Sequence, residues 1–277
     1  MPKRLAPFQY FGGKVNQLKT ILPALNVPCE HFIEPFCGSA VVTINRTPAP
    51  LETVNDMNGE IINFFRQLRD NNEELLNLIY LTPASREEFR NSVNTEGDSD
   101  VERARKLFIS LFQTFTGSPA DAAQDNWAGR KISPTRANSL TAATDAKLRV
   151  LPTIARRLRM VQFECMDALK LIKKYDQEGV LFYCDPPYLA ETRATKNAYK
   201  QEMNQKDQHK EFIDVVRGCS GKVMISGYAS NLYKERLHDW HRIEYKVNVS
   251  TANTVKRRTA VECIWMNYTP RQRGAFF

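Results

Sequence analysis

The sequence predicts an α/β protein with a doubly wound, mostly parallel sheet. Two successive units of strand, loop and helix stand near the N-terminus, and further strand-like stretches return after residue 160. Strands joined through helices run parallel, so these units build one sheet with helices on both faces. The last two strand-like stretches have no helix between them. We therefore expect the sheet to close with a hairpin whose last strand is antiparallel to the rest.

The first two units lie in residues 30–42, EHFIEPFCGSAVV, and residues 50–68, PLETVNDMNGEIINFFRQL. In the first, a short apolar strand is followed by a small-residue turn at Gly38 and a helix-compatible run. In the second, the strand ends at Asp56 and apolar residues then recur at helical spacing.

Helical signals dominate the middle of the chain. They include VERARKLFISLFQTF (101–115) and DAKLRVLPTIARRLRM (145–160), while residues 116–144 are rich in Gly, Ser, Pro, Asn and Ala and are predicted as a loop or hairpin. We expect residues 66–157 to form an inserted, mainly helical domain. Residues 1–65 and 158–277 then make up the catalytic domain.

The later strands are predicted at residues 160–167, 179–185, 221–228, 241–249 and 261–268. In doubly wound sheets ligands bind beyond the carboxyl ends of the strands. Four separate segments reach that edge, and they contain Gly38, Asp56, Cys165 to Asp167, and Asp185.

The bulk composition limits the classes of partner. There are 39 basic and 31 acidic residues, a formal charge of +8, which favours a polyanion such as nucleic acid.

Six scattered cysteines without a C-x-x-C pair, and no apolar signal segment, predict a reduced, cytoplasmic protein. No apolar run reaches the roughly 18 residues of a membrane helix, and four scattered histidines form no metal-ligand cluster. Neither membrane nor metal is expected.

The stretch CDPPY carries the clearest chemical signal. Each proline fixes its own φ and pushes the preceding residue toward extended geometry, so Asp185 and Pro186 are held stiffly. A carboxylate and backbone carbonyls can then face one point. Such a set of acceptors can bind an amino group through hydrogen bonds from its hydrogens. Tyr188, just after Pro187, offers a flat surface for stacking a base, worth roughly 1 to 3 kcal/mol. The structural alternative is a proline-capped strand end with a packed tyrosine.

Two weaker signals concern a cofactor. FQYFGGK places paired glycines beside Lys14, although an ordinary glycine turn explains them equally well. Asp56 stands 18 residues after Gly38, a spacing that in nucleotide-binding folds puts an acid on ribose hydroxyls, and a surface acid at a turn is the alternative. Neither G-x-G-x-x-G nor G-x-x-x-x-G-K-[ST] is present. These features favour an adenosine-bearing cofactor without a polyphosphate.

Five motifs in one order, YFGGK, FIEPFCGSAVV, NDMNGEIINFFR, CDPPY and VKRRTAVECIWMNY, resemble the Dam-type (D12 class) N6-adenine DNA methyltransferases. The resemblance covers residues 8–66 and 160–270. It implies a Rossmann-like, seven-stranded methyltransferase sheet, S-adenosylmethionine as cofactor, a helical target-recognition domain inserted after the second unit, and adenine flipped out of double-stranded DNA.

Residue roles follow from the same resemblance. Asp185, Pro186, Pro187 and Tyr188 are implied as the catalytic tetrad. The implied cofactor-binding residues are Tyr10, Lys14, Glu34, Phe36, Gly38, Asp56, Cys165, Met166 and Asp185.

DNA contacts are expected in basic segments beside the tetrad and before the last strand, where cations suit phosphates. The candidates are Arg193, Lys196, Tyr199, Lys256, Arg257, Arg258 and Arg130. The Asn-, Gly- and Arg-rich hairpin sequence of the GATC-reading branch has no counterpart here, so GATC is not predicted as the target.

Three functions stay open from the sequence. The first is site-specific adenine N6 methylation of DNA, in a restriction-modification, viral or regulatory setting. A related methyltransferase on cytosine N4, RNA or a protein amide is the second, since those enzymes share an acid or polar residue before P-P-[YFW]. The third is a catalytically silent DNA-binding homologue.

Overall fold

The computed structural model describes residues 4–10, 12–114, 126–128, 140–189, 203, 205–249 and 258–270. Within these, seven strands form one sheet: β1 His31–Glu34, β2 Leu51–Asn55, β3 Val161–Glu164, β4 Val180–Cys184, β5 Lys222–Tyr228, β6 His241–Val249 and β7 Arg258–Met266. The helices are α1 Leu18–Ala24, α2 Val41–Asn45, α3 Gly59–Asp70, α4 Asn72–Leu81, α5 Arg86–Asn91, α6 Asp100–Phe112, α7 Leu140–Leu148, α8 Leu151–Leu158, α9 Ala168–Tyr175, α10 Lys206–Arg217 and α11 Asn231–Arg236.

The strand order is β3-β2-β1-β4-β5-β7-β6. Strands β1 to β5 pair in parallel, whereas β7 is antiparallel to both β5 and β6. The predicted closing hairpin is therefore confirmed. Chain order reverses between β1 and β4, and such a switch point opens a crevice at the carboxyl ends of the two strands.

Alternating side chains of the central strands enter two separate apolar cores. In β4, Leu181 and Tyr183 pack with α1 and α2, while Phe182 and Cys184 pack with α9, α10 and α11. Every residue of β4 is buried. Burial on both faces is typical of a parallel strand covered by helices on each side, and it makes the strand end a rigid support for Asp185.

A third core joins the helices that lie between β2 and β3 to the sheet. Phe64 of α3 stacks on Phe108 of α6 with ring centroids 6.3 Å apart, and Phe65 stacks on Phe163 of β3 at 6.2 Å. Residues of α4 and α8 belong to the same cluster. The predicted insert boundaries, 66 and 157, fall inside α3 and α8, and the division into domains stays a prediction.

Two local predictions from the sequence were wrong. The helix expected over residues 145–160 is two helices, because Pro152 lies in the first turn of α8, where a missing N–H does no harm, but cannot continue α7. Residues 140–144, expected in the loop, are the start of α7. No helix in the described part of the chain is long and apolar enough to cross a bilayer.

Candidate active site

The carboxylate of Asp185 lies directly beyond β4 and is held by two donors. Lys14 Nζ is 2.8 Å from Oδ2, and the Ser226 hydroxyl donates to Oδ1 at 2.8 Å. Pro186 is buried and Pro187 half-buried, so the corner is stiff. The Asp185 side chain keeps 17% of its exposure. The acid is thus fixed in place yet open to a ligand.

Lys14 connects the acid to the aromatic ring of the D-P-P-Y motif. Its ammonium group is almost completely buried, donates to the carbonyl of Gly12 at 2.9 Å and lies 4.8 Å from the ring centroid of Tyr188. That ring also packs edge-on against Tyr228 at 4.7 Å. A buried cation over an aromatic face and beside a carboxylate is stabilised by both. The structure thus brings Lys14 and the D-P-P-Y motif together, and their role in binding a cofactor or base stays a prediction.

The Tyr188 hydroxyl is buried, and no hydrogen-bond partner for it occurs among the residues that the structure describes. Burial, together with the negative charge of Asp185, raises the pKa of Tyr188 well above its ordinary value. A neutral buried phenol that lacks a partner costs free energy, roughly 1 to 3 kcal/mol.

The turn after β1 is held against the end of β2. Asp56 Oδ2 accepts from the backbone N–H of Gly38 at 2.9 Å, and Oδ1 accepts from Asn58 N–H at 2.9 Å. Burial raises the pKa of Asp56, while the two backbone donors oppose that rise. Each carboxylate oxygen has a second lone pair, so the acid retains capacity for a further donor.

Gly38 is required at its position by two features. Its φ is +47°, a conformation that side chains rarely adopt, and a Cβ there would lie 2.8 Å from the ring of Tyr10. The Tyr10 ring therefore covers the turn directly. Two residues that the sequence assigned separately to a cofactor site are in contact.

Asn55 ties three loops together, and sequence reasoning missed it. Its side-chain amide donates to the carbonyls of Pro35 and Met166 at 2.9 and 3.0 Å, and its Oδ1 accepts from Met166 N–H at 2.9 Å. The loops after β1, β2 and β3 are thereby joined at one buried point. Its place at a strand end next to Asp56 was the available signal.

Glu34 lies at the end of β1 and binds the following helix. Its Oε2 accepts from the backbone N–H of Thr43 at 3.1 Å and forms a very short contact with the Thr43 hydroxyl. Burial raises the pKa of Glu34 to about 8, and the two Thr43 donors oppose this rise. Glu34 therefore fixes α2 beside the Gly38 turn.

The remaining predicted residues are spread around this edge. The Phe36 ring packs on Phe212 at 5.9 Å, Met166 is half-buried, and Cys165 is exposed. A residue that the sequence did not indicate is Glu262 of β7, which is buried and accepts from the Tyr245 hydroxyl at 2.7 Å. Burial raises the pKa of Glu262, and the positive charge of Lys14 opposes it. A second carboxylate thus acts on the same ammonium group.

Most of the DNA candidates cannot be placed. Arg193, Lys196, Tyr199, Lys256, Arg257 and Arg130 lie outside the described residues, and Arg258 is described only as the first residue of β7. No group of three His, Cys, Asp or Glu able to hold a metal occurs within the described ranges. What the described groups form is a carboxylate paired with a buried cation, an aromatic ring and a tight glycine turn.

Comparison with known proteins gives a consistent result. The family model for the D12 class N6 adenine-specific DNA methyltransferases matches residues 10–251. The Type II methyltransferase M1.LlaDCHI of Lactococcus lactis subsp. cremoris is 28% identical, over 95% of this chain and 96% of that protein. The DNA N-6-adenine-methyltransferase of Escherichia phage P1 is 24% identical, over 84% of this chain and 31% of that protein.

One solved structure is a weaker match. The SAM-dependent methyltransferase from Agrobacterium tumefaciens is 10% identical with a TM-score of 0.37, and the match covers 91% of this chain and 61% of that one. The strand order described above comes from this chain alone.

Proposed function

The chain belongs to the D12 class of N6 adenine-specific DNA methyltransferases, and from that premise we propose that it transfers a methyl group from S-adenosylmethionine to N6 of an adenine flipped out of double-stranded DNA. The observation that carries the proposal is the Asp185 carboxylate, fixed at the switch point of the sheet beside the Tyr188 ring and still accessible.

The residues at the sheet edge fit S-adenosylmethionine. The Tyr10 ring packs directly on the Gly38 turn and offers it an aromatic wall, and Asp56 retains acceptor capacity for ribose hydroxyls. We propose that Tyr10, Lys14, Glu34, Phe36, Cys165 and Met166 also contribute to this cofactor site. When bound, the sulfonium supplies a methyl group that is already activated for transfer.

The chain itself has to position the base. We propose that Asp185 Oδ2 and the Pro186 carbonyl accept the two N6 hydrogens, which leaves the nitrogen lone pair directed at the methyl group. Lys14 then gives up its contact with Oδ2, and Tyr188 stacks on the adenine. Nitrogen loses one proton after transfer. The proximity of Asp185 to N6 makes it the first acceptor for that proton.

DNA is the proposed macromolecular partner, with phosphates bound by basic residues of the segments named above. We also propose the cytoplasm as the place of action. All six cysteines are free, which suits a reducing compartment.

Purified protein, tritiated S-adenosylmethionine and unmethylated bacterial DNA give a direct test. We expect label in DNA and 6-methyladenine on nucleoside analysis. Label in 4-methylcytosine, RNA or protein would support the second function instead, and absence of transfer would support the silent homologue. Sequencing that maps 6-methyladenine in cells expressing the chain would also identify the target site.

Replacing the acid separates catalysis from binding. Asp185→Ala should abolish transfer while calorimetry still detects S-adenosylmethionine binding, since the acid is proposed to hold the base. Asp207→Ala is a matched control, because this carboxylate is exposed and forms an ion pair with Lys210 on its own helix. Transfer by Asp185→Ala at the wild-type rate would contradict the assigned role.

A further inference from the structure

We propose that Ser226 is a positioning residue for Asp185, an inference that rests on the proposed function. It fixes Oδ1 permanently and leaves Oδ2 to be exchanged between Lys14 and the amino group of the substrate base. No sequence motif indicated Ser226, which is fully buried in the middle of β5.

The sheet places Ser226 beside the acid. Strands β4 and β5 are parallel, with Cys184 opposite Ile225, so Asp185 and Ser226 are the next positions along the same register. Their hydrogen bond of 2.8 Å therefore joins the residue directly beyond β4 to the neighbouring strand β5. Its geometry is set by rigid backbone.

The direction of the hydrogen bonds follows from counting protons. The Ser226 hydroxyl has one hydrogen, and Asp185 as a carboxylate can only accept, so Ser226 donates to Asp185. The Tyr183 hydroxyl lies 3.0 Å from Ser226 Oγ and must therefore donate to it. Burial, together with the charge of Asp185, raises the pKa of Tyr183 well above its ordinary value, which keeps this phenol a donor.

The two oxygens of Asp185 thus differ in what holds them. Oδ1 has a donor from a rigid strand, supported in turn by Tyr183. Oδ2 has the ammonium group of Lys14, which lies at the end of a long side chain and has a second acceptor in the Gly12 carbonyl. A ligand donor can replace Lys14 at Oδ2 without moving the carboxylate. Ser226 keeps the acid aimed during that exchange.

Four variants test this inference: Ser226→Ala, Ser226→Thr, Tyr183→Phe, and Ser226→Ala combined with Tyr183→Phe. The measurements are kcat for methyl transfer and KM for S-adenosylmethionine and DNA. We expect Ser226→Ala to lower kcat roughly 10- to 100-fold with little change in either KM, because a hydrogen bond to a charged group is lost. Ser226→Thr keeps the hydroxyl and should recover most of the rate.

The double variant separates positioning from packing. Ser226→Ala alone leaves the Tyr183 hydroxyl buried without its acceptor, and Tyr183→Phe removes that stranded group. The kcat of the double variant should stay as low as that of Ser226→Ala. Ser110→Ala is the matched control, because this buried hydroxyl donates to the Leu107 carbonyl of its own helix, and it should leave kcat unchanged.

Three results would overturn the inference. A Ser226→Ala enzyme within twofold of an active wild type would show that the hydroxyl does not position the acid. Recovery of kcat in the double variant would assign the loss to the stranded Tyr183 hydroxyl. A wild-type protein without any transfer would refute the proposed function and this inference with it, a failure recognisable before any variant is compared.

Discussion

Glu34 gives a prediction whose size follows from the structure. The pKa of this buried carboxyl is about 8, against 4.5 when it is exposed in the unfolded chain. A gap of about 3.5 pH units at about 1.36 kcal/mol each corresponds to an upper bound of roughly 5 kcal/mol. The folded state holds the proton in this interval and the unfolded state does not. Stability from this group is therefore complete below pH 4.5 and is lost as pH rises through 8.

The test compares wild type with Glu34→Gln, which is neutral at every pH and keeps an oxygen acceptor for Thr43. Unfolding in urea is measured from pH 5 to pH 9. The two proteins should be similar in stability at pH 5, and the variant should gain relative to wild type as pH rises, by up to roughly 5 kcal/mol at pH 9. The other titrating groups are the same in both proteins, so their contributions cancel in the difference between the two free energies of unfolding.

Glu164→Gln provides a control of opposite sign. Hydrogen bonds from Lys174 and Tyr175 lower the pKa of Glu164, so this acid stabilises the fold at higher pH, and its replacement should cost stability there. A difference between Glu34→Gln and wild type that stays constant from pH 5 to pH 9 would refute the reasoning, because it would mean that Glu34 is ionised in the folded protein.

Two further predictions concern hydrogen bonding at the site. Asn55→Ala removes three hydrogen bonds at about 1 kcal/mol each and should lower the free energy of unfolding by roughly 3 kcal/mol, measured by urea titration. A loss below about 1 kcal/mol would contradict the role of Asn55 in joining the loops. Tyr188→Phe removes a buried hydroxyl without a partner and should raise the melting temperature, by an amount equivalent to about 1 kcal/mol, while a lower melting temperature would indicate that the hydroxyl has a partner.

Local sequence patterns were sufficient to predict the strands of the sheet. The strand predicted over residues 241–249 has the same bounds in β6. Strand periodicity and the turns that flank a strand depend on residues close together in the sequence, so they can be recognised locally. Pro152 shows the reverse case, because helical periodicity continues across residues 145–160 while the proline starts a second helix within that run.

The site could be predicted only where a motif carries it. Asp185, Lys14, Gly38 and Asp56 stand in short patterns with known geometry. Asn55 acts through Met166, 111 residues away, and no property of the local sequence shows which distant loop an amide will reach. Ser226 and Glu262 were missed for the same reason, since strand register decides their neighbours.

The shared core of the helices between β2 and β3 has a consequence for protein engineering. A graft of residues 66–157 from a relative would separate Phe64 from its native stacking partner Phe108, and both Phe64 and Phe65 from the native second half of α3. Part of this hydrophobic core would then pack against side chains of the relative. Exchanges limited to residues 115–139 would leave α3, α6 and α8 native, so chimeras of that kind should keep this shared core intact.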